Sequence, residues 1–357
     1  MSVTESEIYQ PVSLDRRGLA FKAYEAYGKK YPEVYRGYNE YQKARTLEDF
    51  SYHLQYLEEA LSIGDVAILI DYAKWACVLL YSLGLPKDCL SSSFEVLREL
   101  LNSELPPTLQ IKSNAYITET ITALESAPTT IPSFITDDNP FREVAHEYLD
   151  ALLKQADRTK AHDLVMQLVK SGVPVKDVYI LVFRPVLNET GRLWQMQKIS
   201  VAQEHYVTAS TQQILAQIYL QFIAGNKTVK KRGRTLVAAC VSGELHEIGI
   251  RMVADFFEMD GWDTYYIGAN SPSKSVIQTV KDRKAAAVAI SSTMAFHIPQ
   301  VYDLIQSLRK SPDTCNVKII IGGYPFNIVP DLWKKIGADA YGGTGDEAVR
   351  LANQLVT

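Results

Sequence analysis

No apolar stretch in this chain reaches the roughly eighteen residues that a membrane-spanning helix needs, so a membrane protein is not expected. No charged n-region and apolar h-region open the sequence, so secretion is not expected either. Cysteine is scarce. The four, Cys77, Cys89, Cys240 and Cys315, lack metal-type spacing and fit a reducing cytoplasm. Charge of either sign lacks excess: 37 Lys and Arg against 41 Asp and Glu leave a net −4. No block of like charge is long enough to suggest a nucleic-acid arm, and there is no basic recognition helix, which argues against direct nucleic-acid binding. Neither a Gly-x-Gly-x-x-Gly fingerprint nor a P-loop is present. No residue set suggests turnover of a bound substrate, so an enzyme is not expected.

What is present is order along the chain. Residues 1–18 read as a polar lead-in. Residues 19–126 are helical in pattern, broken at Pro32, Gly64, Gly84-Leu85-Pro86 and Pro106-Pro107. Residues 127–140 are rich in Pro, Thr and Asp without hydrophobic period, a linker. Residues 141–228 return to helical periodicity and predict a four-helix bundle, followed by the basic segment Ala224–Arg234. Residues 229–357 alternate short apolar runs with amphipathic helices. Five strands in that rhythm, at Thr235–Cys240, Trp262–Ile267, Ala286–Ser291, Lys318–Ile321 and near Ala340, predict a flavodoxin-like, doubly wound parallel sheet. The expected fold class is therefore α/β plus all-α.

Chemistry concentrates where strands end. His246, in Val241-Ser242-Gly243-Glu244-Leu245-His246-Glu247-Ile248-Gly249, lies on a strand-to-helix loop, where open α/β sheets bind ligands. An acid two residues before it suits a metal-ligating histidine whose other ring nitrogen a carboxylate orients. Taken alone, a loop histidine beside acids is more often a solvated polar residue. The spacing of two further loops changes that weighing. Forty-one residues separate Gly249 from Ser291-Ser292-Thr293, and twenty-eight separate Thr293 from Gly322-Gly323. Glu244-x-His246-x-x-Gly249, Ser291-x-Thr293 and Gly322-Gly323 together resemble the cobalamin-binding domain in its base-off, His-on form, whose pattern is Asp-x-His-x-x-Gly, Ser-x-Leu and Gly-Gly.

That resemblance implies that His246 replaces the cofactor's own dimethylbenzimidazole as the lower axial ligand of cobalt. Glu244 would orient it, Ser291 and Thr293 would border the buried nucleotide tail, and the glycines would admit that tail without a Cβ in the way. Gly343 lies on a further glycine loop at the same edge. Glu244 for Asp and Thr293 for Leu depart from the pattern.

Trp194, nine intervening residues and then Glu204-His205 resemble the helical cap of light-dependent, adenosylcobalamin-binding repressors of carotenoid genes. By that resemblance Trp194, Glu204 and His205 cover the upper face of the corrin; the bland alternative is a core Trp and an exposed Glu-His pair. Gln195 stands where those repressors have a second cobalt-binding histidine. The added helical region resembles the photocobilins, which join such a module to a domain for a linear tetrapyrrole such as biliverdin. His53 and the tyrosines at 24, 27, 31, 35, 38 and 41 would then line a bilin pocket. The competing reading makes them core residues of a partner-docking domain.

The function expected from these resemblances is a cytoplasmic light sensor. It would bind adenosylcobalamin, with biliverdin as a second chromophore, and form a homo-oligomer whose assembly light changes. The alternatives are a corrinoid methyl carrier of a methyltransferase and a cobalamin storage module. The Trp194 cap weighs against the carrier, which needs an open upper face.

Overall fold

A computed structural model describes residues 8–226 and 228–356; the first seven residues of the lead-in, Lys227 of the basic segment and Thr357 lie outside the described residues. The N-terminal part folds into α1 (Arg16–Lys30), α2 (Pro32–Arg36), α3 (Glu40–Ile63), α4 (Ala67–Ser82), α5 (Cys89–Glu104) and α6 (Pro107–Glu125). Local chemistry sets their ends. Asn39 and Gln42 form a reciprocal capping box at the start of α3, and Gly64 ends it in the left-handed conformation at φ 76°. Leu54, Leu57, Phe94 and Leu97, none more than 1% exposed, lie in the core of this unit. Each such side chain contributes about 1.5–3 kcal/mol of transfer free energy.

A bundle follows. It consists of α7 (Arg142–Leu153), α8 (Arg158–Lys170), a helix running through α9 (Val175–Val178), a π segment at Tyr179–Phe183 and α10 (Arg184–Gln195), and then α11 (Val201–Ile218) with a π segment at Tyr219–Ile223. Ser200 and Gln203 make a second capping box at the start of α11.

The last part holds five parallel strands, β1 (Thr235–Val241), β2 (Asp263–Ser271), β3 (Ala287–Ser291), β4 (Lys318–Gly322) and β5 (Ala340–Tyr341), in the order β2-β1-β3-β4-β5. This is the doubly wound, flavodoxin-like order expected from the alternating pattern. Helices α12 (Ile248–Met259), α13 (Ser273–Asp282), α14 (Ile298–Lys310), α15 (Tyr324–Ile328), α16 (Leu332–Lys335) and α17 (Gly345–Leu355) complete it. Helix α12 starts at Ile248, so His246 lies on the strand-to-helix loop, as expected.

Strand period decides which part of the chain covers which face. Leu236, Ala238 and Cys240 of β1 point into a core shared with α12, α17 and the bundle. Val237, Ala239 and Val241 point into the opposite core, with α13, α14 and three residues from the N-terminal part, Tyr9, Ile63 and Ile68. Polar bonds fasten the same junction: Lys335 Nζ donates to the Ile63 carbonyl at 3.0 Å, and the Tyr324 hydroxyl to Asp71 at 3.0 Å. Helix α4 also reaches the bundle, where Gln195 Nε2 donates to the Trp75 carbonyl at 2.9 Å. The N-terminal helices thus touch both the sheet unit and the bundle.

Candidate functional site

The loop after β1 is held before any ligand is considered. Gly243 takes φ 85°, open to glycine at little cost, and its N–H donates to Asn270 Oδ1 at 2.8 Å. Asn270 N–H returns a bond to the Glu244 carbonyl at 2.8 Å. Glu244 is fully buried, and its side chain crosses from the β1 loop to the β3 loop. Oε1 accepts from His246 N–H at 2.9 Å and from His246 Nδ1 at 2.6 Å. Oε2 accepts from the N–H groups of Thr293 and Met294 at 2.7 and 3.0 Å and from His297 Nδ1 at 3.2 Å.

Burial alone would push the Glu244 carboxyl up, but the bonds from His246, His297 and the backbone outweigh it and hold the group well below the usual carboxylate range. Glu244 is therefore an anion, which only accepts, so each imidazole nitrogen facing it carries a hydrogen. The bond to Glu244 raises the His246 pKa against the opposing pull of burial. In neutral His246 the proton on Nδ1 leaves Nε2 as the lone-pair nitrogen, and the side chain is 60% exposed. This is the tautomer a metal-ligating histidine needs. Glu244, longer than the Asp of the pattern, still reaches His246 and holds the β3 loop as well.

Glycine packing gives the same loops a cradle. A Cβ on Gly323, at φ 112°, would lie 1.9 Å from the Ser292 carbonyl oxygen, and one on Gly322 would lie 3.2 Å from the Gly342 carbonyl oxygen. Gly249 faces open space. Gly343 N–H bonds Glu347 at 3.0 Å. Ser291 and Gly322 are register partners at the strand ends, and Thr293 contributes its backbone to Glu244.

The cap residues come from the bundle. Glu204 Oε2 accepts from His205 Nδ1 at 2.5 Å and Oε1 from the Thr208 hydroxyl at 2.9 Å. The charge of Glu204 contributes to raising the His246 pKa. The His205 side chain is 74% exposed. Trp194 meets Trp75 of α4, with ring centroids 6.2 Å apart. Gln195, the departure from the repressor pattern, is buried and bonded to α4.

His53 lies elsewhere. It is 2% exposed within the N-terminal core, bonded through Nδ1 to the Tyr72 hydroxyl at 2.8 Å and stacked on Phe94 with centroids 4.9 Å apart. The tyrosines also pack among themselves. Tyr24 bonds Tyr35 through the hydroxyls, Tyr27 packs on Phe50, and Tyr41 is exposed. Of the six, Tyr27 is buried, while Tyr24, Tyr31, Tyr35 and Tyr38 are half-buried.

Burial lowers the His53 pKa to about 3. The unfolded chain takes up this proton below its ordinary value near 6.5, and the folded chain does so only near 3. His53 therefore contributes stability that is present above pH 6.5 and lost as pH falls through that window, at up to about 1.4 kcal/mol per unit. Chemical denaturation at pH 7 and pH 5 checks this. Wild type is expected to lose about 2 kcal/mol more than His53→Leu between the two conditions.

The sequence reading missed His297. A histidine in the first turn of the helix after Ser291-Ser292-Thr293 was the available signal, but no spacing rule links it to Glu244, 53 residues earlier.

Comparison with known proteins bears on the same loops. Residues 234–352 match a family described as B12 binding domain, and residues 144–219 match a second family of that description. Dimethylamine corrinoid protein 1 of Methanosarcina acetivorans is 25% identical over 208 residues, 58% of this chain and 91% of that protein. Dimethylamine corrinoid protein 3 of the same organism is 26% identical over 212 residues, 59% of this chain and 96% of that protein. The solved monomethylamine corrinoid protein of Methanosarcina barkeri aligns with a TM-score of 0.51 at 20% identity, over 60% of this chain and 99% of that one; at that identity the likeness concerns the fold. These findings support a cobalamin-binding family. They overturn the expectation of a light sensor, because the similar proteins are named for a corrinoid and a methylated amine, and they favour the methyl-carrier alternative.

Proposed function

On the premise of two B12-binding domains in tandem, we propose that this chain is the corrinoid methyl carrier of a methyltransferase system. The observation that carries the reading is the Glu244–His246 pair, in which a buried anion leaves one imidazole nitrogen free to coordinate. His246 would hold the cobalt through Nε2. Glu244 orients it, and Gly322, Gly323 and the β3 loop at Ser291 and Thr293 would receive the nucleotide tail. Glu204, His205 and Trp194 of the bundle would border the corrinoid, as would Gly249 and Gly343. When bound, the corrinoid supplies a cobalt that accepts and releases a methyl group.

The chain's own part is to bind, to orient the ligand and to control access. The Trp75–Trp194 contact and the Gln195 bond to α4 join the cap to the N-terminal helices. Access of a methyl donor or acceptor to the bound corrinoid would be controlled at that junction. The family matches begin at residue 144, so the preceding helices are an addition that regulates or docks a partner. Aromatic packing around His53 supports this docking or gating role over binding of a tetrapyrrole such as biliverdin. The proposed cofactor is a cobalamin-type corrinoid, with no preference for an adenosyl form. The proposed partner is a methyltransferase.

The test is reconstitution with hydroxocobalamin, reduction, and exposure to radiolabelled methyl iodide. Near-stoichiometric protein-bound label that then moves to an added thiol supports a carrier. Label that never enters the protein, or enters and cannot leave, overturns it.

A further inference from the structure

We propose that residues 8–14 form a latch, closed by Tyr9 on Glu59, that fastens the N-terminal helices to the sheet unit and opens as pH rises. The inference is independent of the corrinoid reading of His246.

Residues 8–14 carry no helix or strand of their own, and Tyr9 is the one residue of these seven that is buried. A segment held by so little apolar contact can leave its neighbours without unfolding them. Its polar bonds converge on the last turns of α3. Gln10 N–H donates to the Ser62 carbonyl at 3.1 Å, Val12 N–H to Ser62 Oγ at 2.9 Å and Leu14 N–H to Glu58 Oε2 at 2.8 Å. Tyr9 faces both units at once. Its N–H donates to the Lys335 carbonyl of α16 at 3.2 Å, and its ring meets Tyr302 of α14 with centroids 4.9 Å apart. Its hydroxyl donates to Glu59 Oε1 of α3 at 3.0 Å. Tyr9 is thus inserted in the seam between α3 and the sheet unit.

Glu59 is 3% exposed. Burial pushes its carboxyl up to about 8; the Tyr9 bond pulls it down, the Glu58 charge pushes it up and the Arg16 charge pulls it down. Burial raises Glu58 as well, in the same sense. From α14 the Asp303 charge acts on the Tyr9 hydroxyl. Lys335 of α16 and Lys112 of α6 also stand at this helix end, where each Nζ bonds a carbonyl, of Ile63 and of Leu61. The closed latch therefore favours a neutral Glu59, because ionisation would leave an anion where water does not reach it. Opening admits water and returns the group to its ordinary value near 4.5. The proton favours the closed state in full below about 4.5, and that preference is lost as pH rises to about 8, with the opening constant growing about tenfold per unit between them.

The experiment is amide hydrogen exchange of the full-length, ligand-free chain at pH 5.5 and pH 7.5, read on peptides spanning residues 8–14 and corrected for the intrinsic pH dependence of exchange. In wild type the opening constant of this segment is expected to be roughly 50-fold larger at pH 7.5, while the middle turns of α3 and α14 keep their protection. Glu59→Gln keeps an accepting oxygen and cannot ionise, so its opening constant should agree between the two conditions to within about threefold. Thermal unfolding accompanies the series, and Glu59→Leu takes the place of Glu59→Gln if the amide lowers the transition. Tyr9→Ala removes the anchor, and its segment should exchange at the unprotected rate in both conditions.

A wild-type opening constant that does not change with pH overturns the latch. The same dependence in Glu59→Gln or Glu59→Leu as in wild type overturns control by Glu59. Exchange in α3 and α14 that rises together with the segment overturns the proposal too, since the change would then be a loss of fold. Protection that persists in Tyr9→Ala overturns closure by Tyr9.

Discussion

His246→Ala is expected to bind hydroxocobalamin about 100-fold more weakly than wild type and to leave the bound fraction with its own base on cobalt. The loss follows from the loop geometry. Glu244 holds Nδ1 of His246 at 2.6 Å, so the ring already has the tautomer and the direction that coordination needs. An alanine removes the donor atom while leaving Gly323, the β3 loop and the bundle unchanged, so residual binding measures what those surfaces contribute alone. The absorption spectrum distinguishes histidine ligation from the cofactor's own base, and a titration gives the affinity. An affinity and spectrum equal to wild type would remove His246 from the site and, with it, the chief support for a carrier.

Glu244→Gln is expected to destabilise the ligand-free protein by about 2–4 kcal/mol, nearly as much as Glu244→Ala. Five donors converge on the two carboxylate oxygens: two ring nitrogens and three backbone N–H groups. An amide offers one accepting oxygen and one NH2, so in either orientation a donor faces donors. Turned toward His246, the NH2 opposes its N–H and Nδ1–H. Turned toward the β3 loop, it opposes Thr293, Met294 and His297. Because the side chain is wholly buried, water cannot relieve the conflict. Urea denaturation of the two variants reads the cost directly, and a glutamine variant within about 0.5 kcal/mol of wild type would mean that the carboxylate charge has no structural role.

Much of the sheet was legible because parallel strands buried on both faces write themselves as short continuous apolar runs. Thr235–Cys240 and Ala286–Ser291 were each found to within one residue at either end. The second strand was cut short at Ile267, since Gly268, Ala269 and Asn270 carry no strand signal; pairing with β1 alone extends it to Ser271. His246 and its acid were legible for another reason: a ligand and its orienting group two residues apart are a local pattern. His297 was not, because it meets Glu244 only where the ends of β1 and β3 lie side by side.

Function was harder than fold. Trp194 and Glu204-His205 share their spacing with light-sensing caps, whereas the similarity over 58% and 59% of the chain is to dimethylamine corrinoid proteins. A spacing of a few residues fixes where side chains sit on a helix pair. It leaves unspecified what passes over them.

By itself the sequence determined the layers: helical period for the N-terminal part and bundle, strand rhythm for the sheet, and a histidine loop at a strand end. Periodicity is local, so it survives without a partner in view. Tertiary structure alone decided that the N-terminal helices lie against both sheet unit and bundle, that His53 and Tyr72 belong to a core, and that Glu244 serves two histidines. Those facts depend on contacts between residues tens or hundreds of positions apart, and their only determinant is which surfaces remain to be buried once each local element has formed.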